Sequence, residues 1–208
     1  MKKTIKILFA TLLIAAIAIL CFSCGTTAIW QEKKNDTDGI QADTQEVNGS
    51  AKYIVYAALN ASGNLITHPA EGDPEATAAY AVVGYTGLVP ELVIPAQYNG
   101  KNVTKVLIAS PYGDYYCYRD GAAYTGDDAR LQDNTVVTSI VFGSNVLSVG
   151  AGVCTGMVHL QSVTFTASSA VVLGDAAFSA CYALTSVTGS WSAASGATPF
   201  RASGYTPA

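Results

Sequence analysis

Short apolar segments recur along the second half of the chain at a nearly constant spacing. Residues 137–142, 160–165 and 184–188 align with one another, and the serine in each segment returns after 23 and then 24 residues. A second block recurs between them, since residues 149–154 match residues 173–178 in their apolar positions. A unit of this length cannot bury its apolar face alone and is stabilised by stacking on its neighbours. The pattern predicts a mainly β fold, a short solenoid of stacked repeats.

Alternation within one repeat predicts which side chains face the interior. Val163 and Phe165 point to one side of a strand, and Ser162 and Thr164 point to the other. We expect the first pair to build the core. The second pair is expected to face outward, where the strand is free to meet a ligand.

A weaker copy of the same pattern sets the start of the array. Residues 92–95 match residues 140–143, and residues 103–106 match residues 146–149. The solenoid is therefore assigned to residues 91–188.

The segments that flank the array have different patterns. Residues 51–90 hold aromatic and β-branched runs around a turn-rich stretch, which predicts an N-terminal β cap. Residues 189–208 are rich in Ser, Gly and Ala and break the period, but they keep Trp191, Phe200 and Tyr205. These aromatic residues predict a C-terminal cap or tail that covers the last repeat.

The first residues carry a targeting pattern. Lysines precede an apolar run over residues 7–20, about fourteen residues, which suits a signal peptide better than a membrane-spanning helix. Ser23 and Cys24 then resemble a lipobox, although Cys21 stands where a lipobox usually has Leu. We expect residues 1–23 to be a lipoprotein signal peptide and Cys24 to be the lipidated first residue of the mature chain. An ordinary cleaved signal peptide with two incidental cysteines is the alternative.

The next stretch, residues 24–50, is polar and has few large apolar side chains. Such a segment cannot bury enough surface to offset the entropy of ordering it, so it is predicted to be a flexible tether. We expect the mature chain to lie outside the cytoplasm, at the outer surface of the cell envelope. Its attachment to a membrane would be through the lipid on Cys24.

Composition excludes some partners and cofactors. Charged residues make up only 12% of the chain, the formal net charge is −4, and no Lys/Arg cluster follows the signal peptide, which argues against a nucleic-acid partner. Cys117, Cys154 and Cys181 are an odd number of cysteines and show no zinc-site spacing. We expect them to be small buried residues, with no structural metal and no cofactor.

The last full repeat resembles a known family. Residues 173–184, Leu-Gly-Asp-Ala-Ala-Phe-Ser-Ala-Cys-Tyr-Ala-Leu, carry nearly whole the leucine-rich repeat motif of BspA-like bacterial surface lipoproteins. The preceding repeat has Cys154 in the Phe position and Met157 in the Cys position, and both changes keep the interior apolar. The resemblance covers about residues 80–188. It implies a surface protein that binds proteins of the host or of neighbouring cells, by protein–protein interaction or adhesion, and it implies no catalytic residues.

One repeat is much longer than the others. The chain spends 31 residues between Val106 and Val137, where a regular unit spends 11 between Val149 and Leu160. The surplus forms an insertion, residues 111–135, and tyrosine-rich loops supply large contact area at low side-chain entropy cost. The candidate ligand-binding residues are Tyr112, Tyr115, Tyr116, Tyr118, Arg119 and Tyr124. A lid whose tyrosines only cover an exposed edge of the solenoid is an equal alternative.

The sequence gives little support for catalysis. It has two histidines, His68 and His159, and no Gly-x-Ser-x-Gly nucleophile elbow. Asp127, Asp128 and Asp133 lack the spacing of a calcium-binding EF-hand loop. We expect no enzyme activity. A structural or antigenic envelope lipoprotein without a dedicated ligand, and a carbohydrate-binding accessory protein, are the alternatives to an interaction protein.

Overall fold

The computed structural model describes residues 49–67, 76–110, 112–126 and 129–207. The predicted signal peptide, Cys24 and the predicted tether up to residue 48 lie outside the described residues. Asp127 and Asp128 lie outside them as well. Within the described ranges, no helix is both long enough and apolar enough to cross a membrane.

The described chain consists of short strands and two short 3-10 turns. In chain order these elements are η1 (Ala51–Tyr53), β1 (Ile54–Leu59), β2 (Ala79–Tyr85), β3 (Glu91–Ile94), β4 (Gln97–Tyr98), β5 (Lys101–Val106), η2 (Tyr112–Asp114), β6 (Cys117–Arg119), β7 (Ala122–Ala123), β8 (Ser139–Phe142), β9 (Ser148–Val149), β10 (Ser162–Phe165), β11 (Val171–Leu173), β12 (Ser186–Thr188) and β13 (Trp191–Ala193).

Four parallel strands, β3, β8, β10 and β12, form one side of the molecule. Their register is the one that the repeat alignment predicts. Leu92 lies opposite Ile140, and Ser139, Ser162 and Ser186 lie opposite one another along the sheet. Buried and half-buried residues alternate in β8 and β10, as expected for strands with one face in the core. The predicted mainly β solenoid is confirmed.

A longer sheet forms the second side. Its strand order is β13-β11-β9-β5-β2-β1-β6-β7, with β4 paired to β5. The strands from β13 to β2 are parallel, whereas β1 joins β2 antiparallel and the β6–β7 hairpin continues the sheet from β1. The N-terminal strands therefore extend the second side of the solenoid.

Turns form the third side of each coil, and backbone hydrogen bonds link these turns from coil to coil. The N–H of Cys154 donates to the carbonyl of Ala177 at 2.8 Å. A side-chain link follows, because the Asp175 carboxylate accepts from the N–H of Thr198 at 2.9 Å and from its hydroxyl at 3.0 Å. These hydrogen bonds, the backbone one first, lower the pKa of the Asp175 carboxyl below its ordinary value.

Apolar side chains of successive coils fill the interior. Phe142 stacks on Phe165 with ring centroids 4.9 Å apart, and Phe178 makes an edge contact with Phe142 at 6.3 Å. Cys154 and Met157, which stand where the next repeat has Phe178 and Cys181, are both fully buried. The departures from the repeat motif therefore keep an apolar core.

The insertion covers the outer face of the N-terminal strands. Every residue of β1 is buried, because its inner face joins the main core and its outer face joins a second, smaller core. Strand β6 of the insertion pairs antiparallel with β1, with Cys117 opposite Ala57. The insertion is thus folded onto the long sheet.

The N-terminal end of the four-stranded sheet is closed by the first described residues. Ser50 is fully buried, and its hydroxyl accepts a hydrogen bond from the N–H of Val93 in β3 at 3.1 Å. The turn η1 also packs beside β3. Ser50, at the end of the predicted tether, is therefore already part of the fold.

Residues 189–207 add a further, shorter coil. Strand β13 pairs in parallel with β11, with Trp191 opposite Val171. The rings of Trp191 and Tyr205 both lie 5.0 Å from the ring of the buried Phe200. Val187 in β12, just before this coil, is only half-buried, whereas the aligned Val163 in β10 is fully buried. The end of the core is therefore partly open.

Candidate functional site

The outward side of the four-stranded sheet presents two straight rows of small side chains. We call this surface the strand face. Its residues are Glu91, Ser139, Ser162 and Ser186 in one row and Val93, Val141, Thr164 and Thr188 in the other. The rows arise because side chains alternate along each strand while parallel strands pair in register, about 4.8 Å apart.

The strand face carries almost no charge. Glu91, at the N-terminal edge, is its one ionisable residue. The hydroxyls of Thr164 and Thr188 share a hydrogen bond of 3.1 Å across β10 and β12. Beside them, the Thr166 hydroxyl donates to the carbonyl of Phe142 at 2.8 Å. Such a surface can form hydrogen bonds and van der Waals contacts with a partner, but it offers no activated nucleophile or acid–base pair.

A polar groove opens where the chain enters β3 and β8. Its walls are residues 85–88 and residues 130–136, and its volume is about 510 Å³. Arg130 and Asp133 are exposed on one wall. Leu88 on the other wall is 81% exposed. The groove therefore combines polar groups with one unburied apolar side chain, directly beside the N-terminal ends of two strands of the strand face.

Local hydrogen bonds fix the second wall of the groove. Asp133 has a positive φ of 57°, and its N–H donates to the carbonyl of Thr155 in the next coil at 2.9 Å. The Asn134 side-chain oxygen accepts from the N–H groups of Val136 and Val137, each at 2.9 Å. These contacts hold the turn in one shape, as expected for a preformed site.

The predicted tyrosines of the insertion are divided between the two cores. Tyr112 is 2% exposed, and its hydroxyl donates to a backbone carbonyl of β2 at 3.0 Å. Tyr124 is buried edge-on against Tyr112, with ring centroids 5.7 Å apart. Tyr115 packs half-buried against this second core, whereas Tyr116 and Tyr118 pack against the main core. The structure does not bring the five rings together on one surface, and their role in ligand binding stays a prediction.

Arg119 is the exposed member of the predicted set. Its guanidinium lies 5.0 Å from the ring centroid of Tyr124, and its Nη1 donates to the hydroxyl of Thr86 at 3.2 Å. Thr86 lines the polar groove. Arg119 is therefore held at the margin of the groove.

Sequence reasoning did not find the polar groove. Leu88 belongs to the predicted cap and Arg130 to the insertion, and no periodic pattern links the two. A clue was available at the end of the insertion, because the chain has to return to β8 next to the segment that leads into β3. Only the fold shows that these two approaches leave a space between them.

The described residues offer no metal centre or reactive thiol. No group of three His, Cys, Asp or Glu side chains comes together there. Cys117, Cys154 and Cys181 are free and buried. Burial raises the pKa of the Cys117 and Cys181 thiols to about 11 and raises that of Cys154 well above its ordinary value. Thiols with raised pKa values are poor nucleophiles and poor metal ligands at neutral pH.

Comparison with solved structures adds a distant likeness, described as "Crystal structure of T. pallidum Leucine Rich Repeat protein (TpLRR)". The likeness is to a repeat protein. The two chains are 16% identical, the match covers 57% of this chain and 58% of that one, and the TM-score is 0.32. This chain thus spans little more than half of that protein, and a likeness at this level carries no argument about function. No protein-family model and no curated protein matches the chain.

Proposed function

We propose that the mature chain is a cell-surface, lipid-anchored interaction protein of the leucine-rich repeat type. It binds a protein of the host or of a neighbouring cell through the strand face and the polar groove. The observation that carries this proposal is the contiguity of the two surfaces. A nearly uncharged strand face ends at a preformed groove that is lined by an exposed leucine and Arg130, with Arg119 at its margin.

The chemistry of these surfaces suits a protein partner. The centre of a protein interface is depleted of charge and its energetic anchors are often Arg, with polar groups around the margin. The strand face provides the uncharged centre, and Arg119 and Arg130 provide cations beside it. A repeat scaffold of this kind presents its site on outward side chains and needs no catalytic group.

A pair of charge variants tests the proposed surface. Ser162→Lys places a charge in the middle of the strand face, and Val172→Lys places the same charge on the outward side of the long sheet, where Val172 is 42% exposed. The probes are a panel of immobilised extracellular matrix proteins and intact neighbouring cells, read by surface plasmon resonance and by cell adhesion. We expect binding to at least one probe, weakened about tenfold or more by Ser162→Lys and unchanged by Val172→Lys. Equal binding of the two variants would refute the assignment of the strand face.

The lipid anchor is tested separately. Mass spectrometry of the N-terminal peptide from the membrane fraction of expressing cells should show an acylated Cys24. An unmodified, cleaved N-terminus in the medium would make the protein a secreted repeat protein and remove the anchor from the proposal.

The polar groove also supports a second candidate, binding of a carbohydrate. Gln132, Asn134 and Thr135 line it, and such side chains hydrogen-bond sugar hydroxyls. A glycan array should then give signals that Arg130→Ala abolishes. A blank array would dismiss this candidate, and a blank array together with no bound protein would favour a structural envelope protein.

A further inference from the structure

The last coil leaves one edge of the long sheet unpaired. Strand β13 pairs with β11 on one side, and no described strand lies on its other side. Natural proteins protect such edges with charged side chains, proline or a bulge. Strand β13 itself has no charged residue and no proline, and Pro199, Arg201 and Pro207 of the same coil lie outside the strand.

The backbone of β13 presents free hydrogen-bonding groups at this edge. The carbonyl of Ser190 and the N–H of Ala194 bond to β11 at 3.0 and 2.8 Å. Because successive peptide groups of a strand point to opposite sides, Ser192 also faces β11. The N–H and C=O groups of Trp191 and Ala193 therefore point to the open edge.

The same end of the molecule exposes part of the main core. Val187, Trp191 and Tyr205 are half-buried. In the preceding coil, Val163 lies opposite Val187 and Val171 lies opposite Trp191, and both of these valines are fully buried. A chain that paired with β13 would cover this apolar surface as well as satisfy the open peptide groups. Burial of the apolar surface and hydrogen bonding of the open peptide groups both favour association.

The opposite end of the molecule does not fit this edge. The N–H of Val93 in β3 is already bonded to the buried Ser50, and Glu91 adds a charge there. The other edge of the long sheet is the two-residue strand β7, part of a hairpin. Head-to-tail stacking of copies therefore lacks a complementary surface, whereas the C-terminal edge is complementary to itself.

We infer that β13 pairs antiparallel with β13 of a second copy about a two-fold axis at Ser192. Trp191 of one copy then lies opposite Ala193 of the other, and each such pair exchanges two backbone hydrogen bonds. The two Ser192 residues face each other in a non-hydrogen-bonded pair, with Cα atoms about 4.5 Å apart. The dimer uses no strand-face residue, so it presents two binding surfaces and can bind a multivalent partner with avidity.

Disulfide trapping tests this geometry in the full chain. Ser192→Cys should form a disulfide-linked dimer under mild oxidation, seen on a non-reducing gel. Val172→Cys is the matched control, because Val172 lies opposite Ser192 in β11 and is also exposed. The unchanged chain gives the background from the native cysteines. Cross-linking of Ser192→Cys no stronger than that of Val172→Cys would overturn the proposed pairing.

Sedimentation velocity tests the association without a cross-link. The unchanged chain should shift from monomer to dimer as its concentration rises. Ala193→Pro, which removes an edge N–H, and Ser192→Lys, which sets like charges opposite each other, should both stay monomeric with unchanged circular dichroism. Ser192→Lys keeps the test valid if the proline variant fails to fold.

A monomer at every concentration would overturn the inference. Ser162→Lys should still dimerise, so failure of the proposed binding function and failure of this inference are distinguishable.

Discussion

Two aligned glycines should respond very differently to the same substitution. Gly150 and Gly174 occupy matching places in successive coils, directly after the opposed residues Val149 and Leu173. A Cβ added at Gly174 would lie 2.5 Å from the backbone N of Ala151 and 2.8 Å from the carbonyl carbon of Gly150. A Cβ added at Gly150 would lie 3.2 Å from the end of the Leu107 side chain and 3.3 Å from the backbone carbonyl oxygen of Val106. Only the Cβ at Gly174 would lie within 3.0 Å of backbone atoms.

The geometry sets the size of the difference. Ordinary van der Waals contact lies near 3.5 Å, so Gly174→Ala has to separate the two coils locally by about 1 Å. The N–H of Gly174 donates to the carbonyl of Val149 at 2.8 Å, and that of Gly152 donates to the carbonyl of Asp175 at 2.9 Å. Both bonds would be stretched past their useful range, at about 1 kcal/mol each. With about 1–3 kcal/mol for overpacking, the free energy of unfolding should fall by about 3–5 kcal/mol.

Urea unfolding followed by circular dichroism measures this effect. We expect Gly174→Ala to lower the transition midpoint strongly and Gly150→Ala to lower the free energy of unfolding by about 1 kcal/mol or less, because a flexible side chain can yield. Small and equal effects of the two variants would contradict the close stacking of coils that the structure shows.

Three further measurements test other details. The Tyr56 hydroxyl is buried without a hydrogen-bond partner, so Tyr56→Phe should raise the free energy of unfolding by about 1 kcal/mol. Tyr112→Phe, which removes a buried hydrogen bond to the Val83 carbonyl, should lower it by a similar amount, and stabilisation by both variants would contradict this. The three buried thiols should not react with a thiol reagent at pH 8 until denaturant is added, and rapid labelling of the folded chain would show that the core is open. The pKa of the Asp175 carboxyl, measured by NMR titration, should lie below that of an ordinary Asp, and Thr198→Val should raise it. Because the pKa is lowered in the folded state, the contribution of Asp175 to stability is present above the unfolded pKa and is lost as the pH falls through the folded pKa.

The register of the solenoid could be predicted because the apolar positions recur in the same order in each repeat. Aligning residues 92–95 with residues 140–143 gives the same pairing that β3 and β8 adopt, with Leu92 opposite Ile140. A shift of one residue would turn every inward side chain outward, so burial of one face fixes the pairing. The need to bury one face of each strand therefore accounts for both the apolar pattern of the sequence and the register of the sheet.

The insertion was located from the sequence, but its contacts were not. Its tyrosines suit a binding loop and a small core equally well, and the choice depends on what lies beneath them. A clue was present in β1, because apolar or aromatic residues occupy every position of Ile54–Leu59 and not only alternate ones. A strand that is apolar on both faces has to be covered on both, and Tyr112 and Tyr124 supply that cover.

The final coil shows where periodicity stops being informative. Trp191 follows its partner Val171 by 20 residues, fewer than the 23 or 24 of the earlier repeats, and the segment is rich in Ser, Gly and Ala. Trp191, at the start of β13, makes an edge contact with the ring of Phe200, a tertiary contact with no counterpart in the repeat pattern.

The most direct test of the proposed function is hydrogen exchange of the chain with and without the best-binding protein of the probe panel. The account predicts slower exchange on binding in residues 130–136 and in β8 and β10, with no change in the insertion strand β7. Protection confined to residues 112–126, with the polar groove and the strand face unchanged, would contradict it.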